Sequence, residues 1–243
     1  MNFLPIYILS LKNAQRFKPL VEALEARGLP HEIFWGIDGR EGLPEVYEQD
    51  IDRVAAEARM GRPMSDGEFA CALSHRLIYQ RIAEGSAPAG IVLEDDAEPS
   101  EAFFSIEQTL LKPTCDLLLF DHKNTYVKRH DRLKITEGVT AYRVVLPPFL
   151  ATGYMVSREL AAHLAFRNGP VTQPSDWPDV ITKFNSYACN PRVITQRERT
   201  INTSGLEAGR QKQGYRRRRS LRRIFYKAYW RRWLKKRLSY KLA

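Results

Sequence analysis

Apolar residues along the chain fall into short unbroken runs separated by stretches with helical spacing, as alternating strands and helices do. Leu4 to Leu11 (LPIYILSL) is a run of strand length, with Pro5 at its start where the missing N–H is tolerated. Asn13 to Ala26 then places Phe17, Leu20, Val21 and Leu24 at helical spacing and stops at Arg27-Gly28. Ile33-Phe34-Trp35 predicts a second strand, closed by Gly36-Ile37-Asp38-Gly39. A β-α-β opening favours parallel strands joined by a right-handed crossover.

Residues 40–63 are polar and mixed, with a helix expected over Glu48–Met60. Ser65-Asp66-Gly67-Glu68 has the S-x-x-E capping-box pattern ahead of FACALSHRLIYQRIA, whose first half is apolar nearly all round and predicts burial. Ala89–Leu93 and Asp116–Phe120 read as buried strands, and Val139–Leu146 and Leu150–Val156 as later ones. Ser157 is expected to cap RELAAHLAF, and a Pro-rich stretch leads to a short helix near Val180–Phe184. Together these predict an α/β fold of Rossmann type, an α/β/α sandwich with a mostly parallel sheet, as one domain over residues 1–208. Such sheets bind ligands at the carboxyl ends of their strands, which directs attention to the positions after Leu11, Trp35 and Leu93.

Charge changes the picture at one end only. The 243 residues carry 38 Lys and Arg against 28 Asp and Glu. Fifteen of those bases lie in residues 210–243, which hold no acid, so residues 1–209 carry 23 bases against 28 acids. A basic net charge therefore says nothing about the body, and any argument for polyanion binding rests on the tail. Hydrophobic content of 44% excludes wholesale disorder. No stretch reaches the roughly 18 uninterrupted apolar residues of a membrane span, and MNFLPIYILSL lacks the basic start and small-residue cleavage site of a signal peptide. Cys71, Cys115 and Cys189 suggest neither a disulfide framework nor a zinc site, and a reducing cytoplasm is expected.

The strongest chemical signal is Glu94-Asp95-Asp96, directly after a buried strand. Three adjacent carboxylates repel, and a hard divalent cation such as Mg²⁺ or Mn²⁺ reverses that cost; a solvated acidic turn gives the same pattern. Lys12 and Arg16 follow the first strand and suit a diphosphate, or are ordinary surface charge. Asp38 sits in a turn that an Asp favours by itself, and a strand-end carboxylate also suits a ribose. His75 shares a helix face with Cys71 and Ser74, where a structural histidine is equally at home. Asp176 and Asp179 flank Trp177-Pro178, one suited to capping the next helix, the other to acid–base work beside an aromatic ring.

Taken together, these segments resemble glycosyltransferase family 25, the lipopolysaccharide and lipooligosaccharide type. Ile6 to Leu11 with Arg16 resembles its opening strand, and Phe34-Trp35-Gly36-Ile37-Asp38-Gly39 its aromatic-x-x-x-Asp-Gly turn. Gly67-Glu68-Phe69-Ala70-Cys71-Ala72-Leu73-Ser74-His75 is similar to its Gly-Glu-x-Gly-Cys-x-x-Ser-His block, with Ala70 where Gly is usual; Ser10 likewise replaces the usual Asn. Ile91 to Asp96 matches its hydrophobic-Glu-Asp-Asp signature, and Thr152 to Ser157 resembles a later strand. The resemblance covers about residues 3–205.

It implies a GT-A-like, metal-dependent, inverting transferase that moves a sugar, most often galactose, from a UDP-sugar to a lipid-linked saccharide. Mn²⁺ or Mg²⁺ is the implied cofactor, with Asp96 holding the ion directly and Glu94 sharing it. Glu94 or Asp95 is then expected to reach the ribose or a metal-bound water. The donor-binding set expected is Ser10, Leu11, Lys12, Arg16, Asp38, His75, Glu94 and Asp95. Asp176, then Asp179, then Glu68 are candidates for the catalytic base. Transfer from UDP-glucose or a UDP-N-acetylhexosamine, and a non-catalytic membrane- or nucleic-acid-binding protein of the same fold, are the alternatives. Acceptor contacts are expected in residues 121–138, with His122, Lys123, Arg129 and His130.

Residues 209–243 hold seven of the 26 aromatics among their bases. A helix over 219–230 would group Leu221, Ile224, Phe225, Ala228 and Tyr229 on one face. Basic helices bearing Trp and Tyr suit anionic headgroups, so this segment is expected to anchor the protein peripherally on the inner face of the bacterial inner membrane. A solvated tail is the alternative. No recognised nucleic-acid-binding module accompanies it, so no specific nucleic-acid partner is expected.

Overall fold

The computed structural model describes residues 3–107, 114–166, 169–175, 177, 179–197 and 227–242. The β-α-β opening forms as expected: β1 (Ile6–Ser10), α1 (Lys18–Glu25) and β2 (His31–Trp35), with β1 parallel to both β2 and β3 (Ala89–Glu94). Helix α1 starts later than Asn13. Pro19 sits in its first turn, the only place where a missing N–H costs nothing, and residues 12–17 make turns instead. Gly28, at φ +64°, ends it in the left-handed region.

The helix expected over Glu48–Met60 is split. A 3₁₀ turn (Glu45–Asp50) ends at Ile51, and α2 (Arg53–Met60) begins again because Asp52 Oδ1 accepts from Ala55 N at 2.8 Å. The capping box does form, and it launches the 19-residue α3 (Asp66–Glu84). Strand β4 (Ala97–Pro99) follows the acidic triplet, and α4 (Glu101–Glu107) follows it.

Next come β5 (Leu117–Leu119), β6 (Tyr126–Thr136), β7 (Val139–Leu146) and β8 (Gly153–Ser157). Ser157 Oγ accepts from Leu160 N at 3.2 Å, capping α5 (Arg158–Phe166). A 3₁₀ turn (Asp179–Lys183) precedes β9 (Ser186–Asn190) and β10 (Ile194–Gln196), and α6 (Lys227–Arg237) and β11 (Tyr240–Lys241) close the described chain.

Nine strands of the described residues form one sheet in the order β11-β6-β7-β9-β5-β8-β3-β1-β2, with β4 and β10 as a separate antiparallel pair. The expectation of a mostly parallel sheet is corrected. Among the described residues only strand pairs β1–β2, β1–β3 and β5–β9 are parallel, while β8 runs antiparallel between β3 and β5, and β7, β6 and β11 add antiparallel pairs. Residues 121–138, expected as acceptor loop, lie mainly in β6. Its polar alternation reflects a position near the sheet edge.

The sandwich itself is present. Side chains alternate along each central strand. Ile6, Ile8, Ile91 and Leu93 join Leu20 and Leu24 of α1 and Phe103 of α4 on one face. Tyr7, Leu9 and Val92 join Ile78 and Ile82 of α3 and Leu160 and Leu164 of α5 on the other. Each fully buried Leu or Ile contributes about 1.5–3 kcal/mol, so this two-sided core fixes the strand ends that carry the polar residues.

Candidate active site

Strands β1, β2, β3, β5 and β9 all point one way, so their carboxyl ends share one rim of the sheet. Ser10 closes β1 and the acidic triplet closes β3 beside it. Ser10 Oγ donates to Asp95 Oδ2 at 3.1 Å, and Arg16 Nη2 donates to Asp95 Oδ1 at 2.6 Å. Both Asp95 oxygens are thus held, one from the end of β1 and one from the β1–α1 loop. Burial pushes the Asp95 carboxyl above its ordinary range, and Arg16 and Ser10 pull against that shift.

Glu94 faces α3 instead. Its Oε1 lies 3.3 Å from His75 Nε2, and His75 Nδ1 lies 2.8 Å from the Tyr154 hydroxyl, which donates to Tyr79 at 3.2 Å. Burial lowers the affinity of His75 for a proton, but Cys71 and Glu94 outweigh it and push its pKa up to about 9. The buried hydroxyls of Tyr79 and Tyr154 are raised above their ordinary value, mainly by burial.

Asp96 is buried, and its carbonyl accepts from Arg197 N at 2.9 Å. The β4–β10 pairing sets this contact, since Gln196 sits opposite Ala97. Arg197 Nη1 also donates to the Arg16 carbonyl at 3.3 Å, so a second arginine borders the triplet. Sequence reasoning missed it. The only signal was a base just past a short strand.

Two more polar groups at this rim were missed. In register with Glu94 lies Thr152, whose carbonyl accepts from Glu94 N at 2.8 Å, and Asp121 lies on the far side of Thr152 at the end of β5. Thr152 Oγ1 and Asp121 Oδ2 are buried with no hydrogen-bond partner among the described residues, while Asp121 Oδ1 accepts from Arg192 Nη1 at 3.0 Å. The strand-end rule points to Asp121 once β5 is oriented like β3.

The remaining expected residues are dispersed. Asp38 pairs with Arg40, which holds its carboxyl below the usual range. Its turn is anchored by Gly36 N donating to the Ser10 carbonyl at 2.8 Å and Ile37 N to Ser74 Oγ at 2.8 Å. Lys12 is exposed and Leu11 half-buried at the mouth of the β1–α1 loop.

Glu68 has a different task from the one expected of it. It is buried at the start of α3, accepts from Ser65 N at 3.0 Å and from Arg62 Nη1 at 2.7 Å, and so serves the helix cap rather than an open site. Trp177, the aromatic ring between Asp176 and Asp179, is buried: its Nε1 donates to the Leu150 carbonyl at 2.9 Å and its ring meets Tyr154 edge-on. Asp176 lies outside the described residues, as does the side chain of Asp179. His122 is buried between the Cys189 carbonyl and Thr125 rather than exposed to an acceptor. All three cysteines are free thiols.

These features define a three-layer α/β domain with an acid-and-arginine cluster where the parallel strands β1 and β3 end. Residues 3–176 match glycosyltransferase family 25, a family of LPS biosynthesis proteins, and the chain belongs to that family. It is 25% identical to lipooligosaccharide biosynthesis protein lic2B of Haemophilus influenzae over 171 residues, 65% of this chain and 62% of that protein. It is 32% identical over 103 residues to a glycosyltransferase 25 family member of Anopheles gambiae, 41% of this chain and 17% of that protein. The chain spans less than two thirds of the length of these curated relatives.

Among solved structures it is similar to A197 from STIV, with TM-score 0.41 and 13% identity, covering 84% of this chain and 98% of that one. HddC from Yersinia pseudotuberculosis aligns with TM-score 0.39 and 12% identity, covering 76% and 89%. No helix among the described residues is long and apolar enough to cross a membrane.

Proposed function

We propose that this chain is an inverting GT-A-type glycosyltransferase that moves a hexose, galactose first among candidates, from a UDP-sugar to a lipid-linked saccharide of the lipopolysaccharide or lipooligosaccharide class. The observation that carries this reading is the Ser10–Asp95–Arg16 cluster, which joins the ends of two parallel strands at the rim where such sheets bind ligands. Carboxylate oxygens such as those of the triplet are the donors a hard divalent ion takes. Glu94 and Asp96 bring carboxylate oxygens, while Arg16 engages the charge of Asp95. Mn²⁺ or Mg²⁺ held by Asp96 and Glu94 would neutralise charge on the departing diphosphate.

The chain's own residues do the rest. Arg16, Arg197 and Lys12 supply positive potential for the diphosphate, and Asp95, fixed from both sides, presents its edge to the ribose. Asp38, at the end of β2, is the next carboxylate along the rim for the nucleoside. His75 orients Glu94 from beneath. An inverting displacement needs one base at the acceptor hydroxyl, and Asp176, then Asp179, takes that role.

The described end of the basic segment supports membrane docking. Helix α6 exposes Trp230 and Trp233 among Arg231, Arg232, Lys235 and Lys236, a composition suited to anionic headgroups. Replacing Asp96 by Ala should abolish Mn²⁺-dependent turnover of the UDP-sugar while the melting curve stays cooperative. Turnover by the variant at the wild-type rate would overturn the assignment, and a screen of UDP-galactose, UDP-glucose and UDP-N-acetylhexosamines identifies the donor.

A further inference from the structure

Cys71 and His75 stand four residues apart on α3 and hence on one face, and Glu94 ends β3 against them. Cys71 Sγ, a His75 ring nitrogen and a Glu94 carboxylate oxygen all lie within 4.8 Å of one another. Tyr154 donates to Tyr79 and sits 2.8 Å from His75 Nδ1, so Nε2 is the ring nitrogen that faces Glu94, 3.3 Å from Oε1. A thiol, an imidazole and a carboxylate this close share protons in the ion-free protein, and a cation bound among them takes the place of those protons.

We propose that Cys71, His75 and Glu94 bind a thiophilic divalent cation of the zinc class. The donor set carries the choice of metal. A thiolate, an imidazole and one carboxylate suit zinc, whereas the ion proposed for Asp96 and Glu94 is hard and takes oxygen. The surroundings match such a site. His75 is buried and its second ring nitrogen is held by Tyr154, the outer partner that fixes the ring of a ligating histidine. Cys71 is half-buried, and its sulfur lies 3.4 Å from Ser175 Oγ. Ser175, His75 and Tyr79, with Arg59 and Arg76, line a neighbouring cavity of about 150 Å³. Binding displaces the thiol proton to solvent.

The test is a titration of metal-stripped full-length protein with Co²⁺, followed by displacement with Zn²⁺, which needs no transferase turnover. Wild type should develop a thiolate-to-cobalt charge-transfer band that saturates at one ion per chain and disappears as Zn²⁺ is added. Cys71→Ser, with a wild-type melting curve, should lack the band and bind Zn²⁺ at least about tenfold more weakly. Should Cys71→Ser fail to fold, Glu94→Gln retains the thiol and should weaken Zn²⁺ binding by a similar factor. Absence of the band in wild type, its persistence in Cys71→Ser through Cys115 or Cys189, or unchanged Zn²⁺ affinity in Glu94→Gln would overturn the proposal.

Discussion

At the scale of single residues, the charges of the rim are held in place by named partners. Asp95 has both oxygens engaged, one by Ser10 and one by Arg16. Asp95→Asn keeps the shape but loses the charge that fixes Arg16. It should raise KM for the UDP-sugar about tenfold, equivalent to ~1.4 kcal/mol, with little change in Tm. Ser74 holds the β2 turn from below, accepting from Ile37 N while donating to the Ala70 carbonyl at 2.6 Å. Ser74→Ala strands a buried N–H and should cost about 1–3 kcal/mol, read as a lower urea midpoint. Gly39 is required in the same turn, because a Cβ there would sit 2.5 Å from the Asp66 carbonyl oxygen. The triplet and its arginine were legible in the sequence. Arg197, Thr152 and Asp121 were not, because each reaches the rim through a strand pairing that spacing along the chain does not encode.

At the scale of elements, α3 is the piece that links the site to the core. Its capping box was readable from Ser65 and Glu68 alone, and the structure adds Arg62, whose guanidinium pairs with the buried Glu68 carboxylate. Ser65→Ala should cost about 1 kcal/mol of stability through the lost cap, measurable by chemical denaturation. Strands that bury both faces were legible as apolar runs, as in β1, β3 and β5. Strands β6 and β9 were not. β6 alternates Val127, Leu133 and Ile135 with charged residues, and β9 is the short, small-residue run SYACN. The helix start at Lys18 and the break at Asp52 follow from Pro19 and an Asx cap, local chemistry that hydrophobic periodicity passes over.

At the scale of the whole molecule, the far end of the basic segment is part of the sheet. Strand β11 pairs with β6, Leu242 N donates to the Thr125 carbonyl at 3.0 Å, and Leu242 is buried beside Val127 and Val144. Lys236 and Arg129 lie over the rings of Tyr126 and Tyr240, joining helix and edge. Removal of residues 239–243 should therefore lower stability by about 2 kcal/mol and expose the β6 edge to self-association, seen as a lower Tm and a concentration-dependent sedimentation profile. Membrane docking is tested without cutting the sheet: Trp230→Ala with Trp233→Ala should reduce co-sedimentation with anionic vesicles at unchanged Tm, and undiminished binding would remove the anchor reading.

The proposed function depends on the rim between β1 and β3 receiving the donor. A crystal of the full chain soaked with Mn²⁺ and uridine diphosphate tests it directly. The account predicts the ion against Asp96 and Glu94, the diphosphate beside Arg16 and Arg197, and the ribose at Asp95. A diphosphate bound elsewhere, or Asp96 turned away from an ion that sits on other ligands, would contradict it.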